Sequence, residues 1–385
     1  MSEYPSDWKL IPIREIITES RINPELDDPS KRISVRLHCE GVEKRSERAT
    51  DQAGATRYYK RLAGQFIYGK QNLHKGAVGI VPEELDGFCS SQDIPAFDIT
   101  PTVDPNWFLH LFRQRNFYES LENIATGTGS KRIQPSELGE KEIAVPPLPE
   151  QKKITEILSG IDFLLKALND LIAKQVSLKK AMTWDLMSHG AGSRDLKDSD
   201  QGKIPFDWEV RSLGSVFTLT SGKSKPKSLL SSIATGSEKI PVYGGNGITG
   251  YASEYLLDLP TITIGRVGEY CGAVHLTPNM CWVTDNALYI KDRISDFDLP
   301  FMYYFLVFCE ISKMRKKGGQ PLISQKPILD LVVALPPIEE QRRIALTLNS
   351  ISKNISIMEV RRQRIKEFRD SVSQDLLSGR KRVSI

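Results

Sequence analysis

With 385 residues, 40% of them hydrophobic and 26% charged, the chain has room for two or three domains that each bury a core, and its composition excludes a disordered or fibrous polypeptide. Lys and Arg number 52 against 48 Asp and Glu, so the net charge is +4, a lean toward acidic partners that does not by itself establish nucleic-acid binding. Five cysteines without any C-x-x-C spacing and five scattered histidines suggest neither a disulfide framework nor a zinc site.

The opening stretch, Met1 to Leu10, is polar and lacks an apolar signal core, and the longest apolar run, Phe301 to Phe308, is shorter than the roughly 20 residues a membrane span needs. A soluble, cytoplasmic protein is expected. Pro5-Ser6-Asp7-Trp8 begins a first domain, expected over residues 1–148. Gln65 to Tyr68 and Ala77 to Val81 read as short strands, β-branched or aromatic and bounded by Gly or Pro. Trp107 to Phe112 reads as a short helix and Glu142 to Val145 as a closing strand, so the domain is mixed α/β. Its loops carry the basic charge: Arg57, Lys60 and Arg61, then Lys70, Lys75, Lys131 and Arg132. In Tyr68-Gly69-Lys70-Gln71-Asn72 the cation stands beside Gly, Gln and Asn72, a mixture suited to phosphates and base edges.

Two prolines, Pro146 and Pro147, then precede a helix expected over residues 149–189. Glu150 and Gln151 fall in its first turn, where they complement unsatisfied N–H groups. Ile154, Leu158, Ile161, Leu165, Leu168 and Ile172 recur at helical spacing and form an apolar stripe. About forty residues at ~1.5 Å each make a rod of ~60 Å. Residues 190–204 are polar and turn-rich, the composition of a surface linker.

The second half repeats the first. Pro146-Pro147-Leu148-Pro149-Glu150-Gln151-Lys152-Lys153-Ile154 returns at a shift of 190 as Pro336-Pro337-Ile338-Glu339-Glu340-Gln341-Arg342-Arg343-Ile344. Pro205-Phe206-Asp207-Trp208 matches the opening, and Cys281, Asp285 and Tyr289 match Cys89, Asp93 and Phe97 more faintly. A second mixed α/β domain is expected over 205–335, with strands at Thr261 to Ile264, Ala287 to Ile290 and Asp330 to Ala334 and a helix at Phe301 to Leu306. Its basic loops hold Lys223, Lys225, Lys227, Arg266, Lys313, Arg315, Lys316 and Lys317. A second long helix is expected over 336–385, its stripe carried by Ile344, Leu348, Ile351, Ile355 and Met358. Two rods from one chain bury their stripes most economically against each other. A plain helical hairpin fits less well, because a whole domain separates the two segments.

Signals of catalysis fail one by one. Gly222-Lys223-Ser224 resembles the end of a phosphate-binding loop, but Phe217 stands where that loop needs glycine. Gly245-Asn246-Gly247-Ile248-Thr249-Gly250 fits G-x-G-x-x-G by letters and reads as a turn, since no crossover helix has room to follow. Asp104-Pro105-Asn106-Trp107 looks like the tetrapeptide of amino-methyltransferases, yet its counterpart Asp298-Leu299-Pro300-Phe301 lacks that pattern, and both open helices. Glu150-Gln151-Lys152 has nuclease-like spacing but begins a helix.

The paired P-P-[LI]-x-E-Q-[KR]-[KR]-I segments and the Ile204-to-Trp208 opening resemble the specificity subunit of type I restriction-modification systems over essentially the whole chain. The resemblance implies a fold of two mixed α/β target-recognition domains joined by two long antiparallel coiled-coil helices, with a pseudo-two-fold internal repeat. It implies that each domain reads one half of a bipartite double-stranded DNA target while the helices act as a ruler. No catalytic, cofactor or metal site is implied in this chain. The implied partners are two modification subunits that use S-adenosylmethionine to methylate adenine, and restriction subunits that use ATP and Mg to translocate and cut DNA. The wider stripe of the first helix further suggests that Leu158, Leu165 and Ile172 meet another subunit. Two rival readings are a methyltransferase or nuclease with fused recognition domains, and a coiled-coil scaffold without DNA affinity.

Overall fold

A computed structural model describes residues 4–26, 28–47, 56–127, 131–191, 195–315 and 321–384. The chain divides into two compact units, Met1–Asn169 with Val360–Ile385, and Asp170–Glu359. Each unit therefore contains a domain together with parts of both long helices, whereas the sequence segmentation into 1–148, 149–189, 205–335 and 336–385 ends the domains where the helices begin. The physical reason is that the helix ends are built into the domain cores.

In the first unit, Lys9–Pro12 pairs antiparallel with Glu142–Val145, joining the two edges of the domain sequence. A four-stranded antiparallel sheet follows in the order Ile17–Ser20, Ala96–Ile99, Phe66–Tyr68, Val78–Ile80. One face buries an aromatic cluster: the Phe66 ring meets Phe108 at 4.8 Å and Phe112 at 4.9 Å, while Tyr68 stacks on Phe97 at 5.6 Å. Phe108 and Phe112 come from the helix Pro105–Phe112, whose start is fixed by Asp104 accepting the Trp107 N–H at 2.8 Å. Ile154 and Leu158 from one long helix and Leu376 and Leu377 from the other complete this core.

The second unit repeats the plan with different side chains. Glu209–Ser212 pairs antiparallel with Val332–Leu335, and the four-stranded sheet runs Phe217–Ser221, Ala287–Arg293, Ile262–Gly265, Val274–Leu276. The helix Leu299–Phe308 is capped by Asp298, which accepts the Phe301 N–H at 2.9 Å. Its core gathers Phe217, Phe301 and Phe305 with Met187, Ile344 and Leu348 of the long helices. Residues 190–204, expected as linker alone, contain an antiparallel hairpin, Leu196–Ser199 with Gly202–Pro205. The polar residues of that stretch close its turn, Ser199 Oγ donating to the Gly202 carbonyl at 2.7 Å.

The long helices run Leu148–His189 and Ile338–Leu377. The second stops short of residue 385, because the chain turns at Gly379 and Arg382 reaches back to Asp7, donating at 2.9 and 2.7 Å, and to Glu150 at 2.6 and 2.8 Å. Within the first unit the helices are antiparallel: Leu158 shares a core with Leu376, and Asp162 accepts from Arg369 Nε at 3.0 Å. Among the described residues, no helix is long and apolar enough to cross a membrane.

Glu150 and Gln151 do not serve their helix's own N–H groups. Glu150 is buried and accepts the Trp8 indole N–H at 3.2 Å, and Gln151 accepts the Asp104 N–H at 2.7 Å while donating to the Pro146 carbonyl at 2.9 Å. Glu340 and Gln341 repeat this with Trp208 at 3.1 Å, Asp298 at 3.0 Å and Pro336 at 2.9 Å. A buried carboxylate and amide need partners, and these two tie the domain's first residues, its short helix and its last strand to the start of a rod.

Candidate nucleic-acid interface

The strand third in order leaves each four-stranded sheet into a nine-residue loop, Gly69–Ala77 in the first unit and Gly265–Ala273 in the second. Three backbone bonds hold both loops identically. The Gly69 N–H donates to the Ala77 carbonyl at 3.0 Å and that of Gly265 to Ala273 at 2.8 Å. The Lys70 N–H donates to Asp93 and the Arg266 N–H to Asn286, each at 2.9 Å, and the Lys70 and Arg266 carbonyls accept from Ile133 and Ile323, each at 2.9 Å. Both loops close on a left-handed glycine, Gly76 at φ 76° and Gly272 at φ 91°. A Cβ there would lie 2.9 Å from Cys39 Sγ or 2.4 Å from Ser312 Cα, so only glycine fits.

Lys70 and Arg266 thus occupy equivalent places on two rigid frames. The sequence carried a signal for this, since Gly-Lys-x6-Ala and Gly-Arg-x6-Ala recur at a shift of 196. Alignment on the helices, at a shift of 190, passes over it.

Around Lys70 the chain gathers Asn72 and the exposed Lys75 in the same loop, and Arg132, which pairs with Asp93 at 3.3 Å. Lys131 is exposed but pairs with Glu122 at 2.8 Å. Arg57 is exposed, 5.3 Å from the Tyr59 ring, and Lys60 is half-buried in the strand Tyr58–Lys60. Arg61 is a correction to the sequence reading. It is 1% exposed, and its guanidinium donates to Ser90 Oγ at 2.7 Å, the Ser20 carbonyl at 2.7 Å and the Ile94 carbonyl at 3.1 Å. Burial lowers its pKa to about 10. A cation so enclosed ties strands together and cannot touch DNA.

In the second unit Arg266 is half-buried, with Nη1 donating to Ser221 Oγ at 2.9 Å and Nε enclosed without a hydrogen-bond partner among the described residues. Lys223 is exposed, and its carbonyl accepts the Trp282 indole N–H at 2.9 Å. Lys225 lies 3.8 Å from the Trp282 ring centroid and 3.4 Å from Glu254, with only 10% of its side chain exposed. That stacking makes it a support for the loop more than a free cation. Gly245 and Asn246 form the turn between the strands Ile240–Gly244 and Gly247–Ala252, as the sequence indicated. Lys316 and Lys317 lie outside the described residues.

The helix stripes divide by depth. Ile154, Leu158, Ile344 and Leu348 are fully buried and Ile172 is 6% exposed, while Ile161, Leu165, Leu168, Ile351, Ile355 and Met358 are half-buried. Leu158 and Ile172 are covered by this chain itself, so the suggestion that they meet another subunit fails. The large apolar side chains left open on the first helix are Phe163, Leu164, Leu171, Val176, Leu178 and Trp184.

A family model described as the type I restriction modification DNA specificity domain matches residues 48–176 and 205–367. The type I restriction enzyme MjaX specificity subunit of Methanocaldococcus jannaschii is 30% identical over 304 residues, covering 73% of this chain and 69% of that protein. The MjaVIII specificity subunit of the same organism is 28% identical, covering 71% and 70%. Among solved structures, the S subunit of a type I restriction-modification system from M. genitalium is similar at a TM-score of 0.66 and 18% identity over 96% of both chains, a likeness of fold.

Proposed function

This chain belongs to the type I restriction-modification DNA specificity family, and from that footing we propose that its two units read unlike halves of one DNA target. It is a target-recognition subunit. The observation that carries the two-reader account is the pair of loops held by identical backbone bonds and opened by different cations, Lys70 and Arg266. A frame that stays constant while its side chains change is what reading two different half-sites requires. The long helices would set the distance between half-sites by length rather than by chemistry.

The chemistry is assigned to partners. Two modification subunits would methylate adenine with S-adenosylmethionine, and restriction subunits would translocate and cut DNA with ATP and Mg, while this cytoplasmic chain supplies no catalytic group. The basic loop residues Arg57, Lys60, Lys70, Lys75, Lys223 and Arg266 are assigned to the DNA side. Retention of random duplex DNA by the assembled complex tests this. Binding should fall with rising salt, and Lys70→Glu should weaken it and flatten the slope of log affinity against log salt by about one unit. An unchanged slope removes Lys70 from the interface. Transfer of a methyl group by the purified chain alone would instead favour an enzyme with fused recognition domains.

A further inference from the structure

We propose that Arg266 reads a guanine in the half-site recognised by the second unit, with Lys70 holding the corresponding place for the other half-site. The inference rests on the target-recognition function above and names the chemistry of one position in it. A side chain that neutralises a phosphate works as a mobile charge, whereas one that reads a base must be aimed. Arg266 is aimed. Its backbone is clamped on both sides, by the Asn286 carbonyl and the Ile323 N–H, each at 2.9 Å. Its guanidinium is held through Nη1 by Ser221 Oγ at 2.9 Å, and Nε is enclosed. That leaves Nη2 and the second N–H of Nη1 as the donors this chain does not engage, and no ion pair to Arg266 occurs among the described residues.

Ser221 is itself fixed. It is the last residue of the strand Phe217–Ser221 and pairs in register with Leu288. The hydroxyl therefore orients the arginine from the rigid sheet, not from a mobile loop. Two parallel N–H donors at a fixed angle match the paired acceptors O6 and N7 that guanine presents in the major groove, an arrangement that no other base offers there. The first unit lacks this device. The residue matching Ser221 by strand register is Arg21, one beyond Ser20, and its guanidinium pairs with Glu19 at 2.7 Å. Lys70 consequently stands in the frame without an orienting hydroxyl, and the two positions read differently.

The test uses the assembled methylation complex and sequences the duplexes that it selects and methylates. Wild type should give two short blocks with a constant gap. Arg266→Gln should lower discrimination for guanine about tenfold or more at one position of one block, leaving the other block and the gap unchanged. Ser221→Ala should relax the same position to a smaller extent, and Lys70→Gln should alter only the other block. Arg266→Lys retains the charge and covers the case in which Arg266→Gln does not fold; it should also lose the guanine preference. Unchanged discrimination in Arg266→Lys and Ser221→Ala overturns the assignment. So does an even loss of affinity for all sequences with a shallower salt slope, which marks a phosphate contact. Failure of the wild-type complex to select any two-block sequence overturns the target-recognition function and this assignment with it.

Discussion

Arg61 and Lys70 lie nine residues apart and both look like loop cations in the sequence, yet burial separates their roles. Removing the Arg61 side chain takes a charged donor away from Ser90 Oγ and from the Ser20 and Ile94 carbonyls in a closed interior, leaving Ile94 only the Ser90 hydroxyl as a side-chain donor. Arg61→Ala should therefore destabilise the protein by about 2–4 kcal/mol in urea unfolding and leave the salt slope of DNA binding unchanged. Glu150 offers a comparable test. Its loss strands the buried Trp8 N–H, so Glu150→Ala should cost about 1–3 kcal/mol by the same measurement. His110 ties stability to pH. Burial, opposed by Asp162 and aided by Arg113 and Arg369, lowers its pKa from 6.5 to about 4. The unfolded chain takes up this proton below about pH 6.5 and the folded chain resists it down to about 4, so stability is lost as pH falls through that window. His110→Gln should shrink the loss between pH 7 and pH 5 by on the order of 1–2 kcal/mol, read from urea midpoints.

The elements divide into those the sequence made legible and those it did not. The long helices were visible because Pro-Pro, Glu-Gln and an apolar period of three and four residues occur twice, and they begin within two residues of the expected positions. The short helices were visible through Asp104 and Asp298. The matched loops were not, because their identity lies in backbone bonds to residues far along the chain, such as Ile133 and Ile323. The burial of Arg61 was equally hidden, since nothing local distinguishes a cation that folds inward. The helix stripe likewise carries no label for depth. Leu158, fully buried beside Leu376, should cost about 2–5 kcal/mol as Leu158→Ala, whereas Phe163→Ser, at a side chain 75% exposed, should stay within about 0.5 kcal/mol, both by urea unfolding.

At the scale of the whole molecule, one plan is used twice with unlike contents. Trp8 with Glu150 and Trp208 with Glu340, Asp104 with Gln151 and Asp298 with Gln341, the short helix set against the long one through His110 and Ser159 at 3.1 Å or Tyr304 and Asn349 at 2.9 Å: each pair does the same work in its own unit. Such duplication gives two equivalent frames that carry unlike side chains. The account stands or falls on there being two readers. The direct measurement is selection from a random duplex library by the complex, followed by sequencing of what it retains. Two short, unlike blocks separated by a constant gap are predicted; one contiguous block, or no enrichment above background, would contradict it.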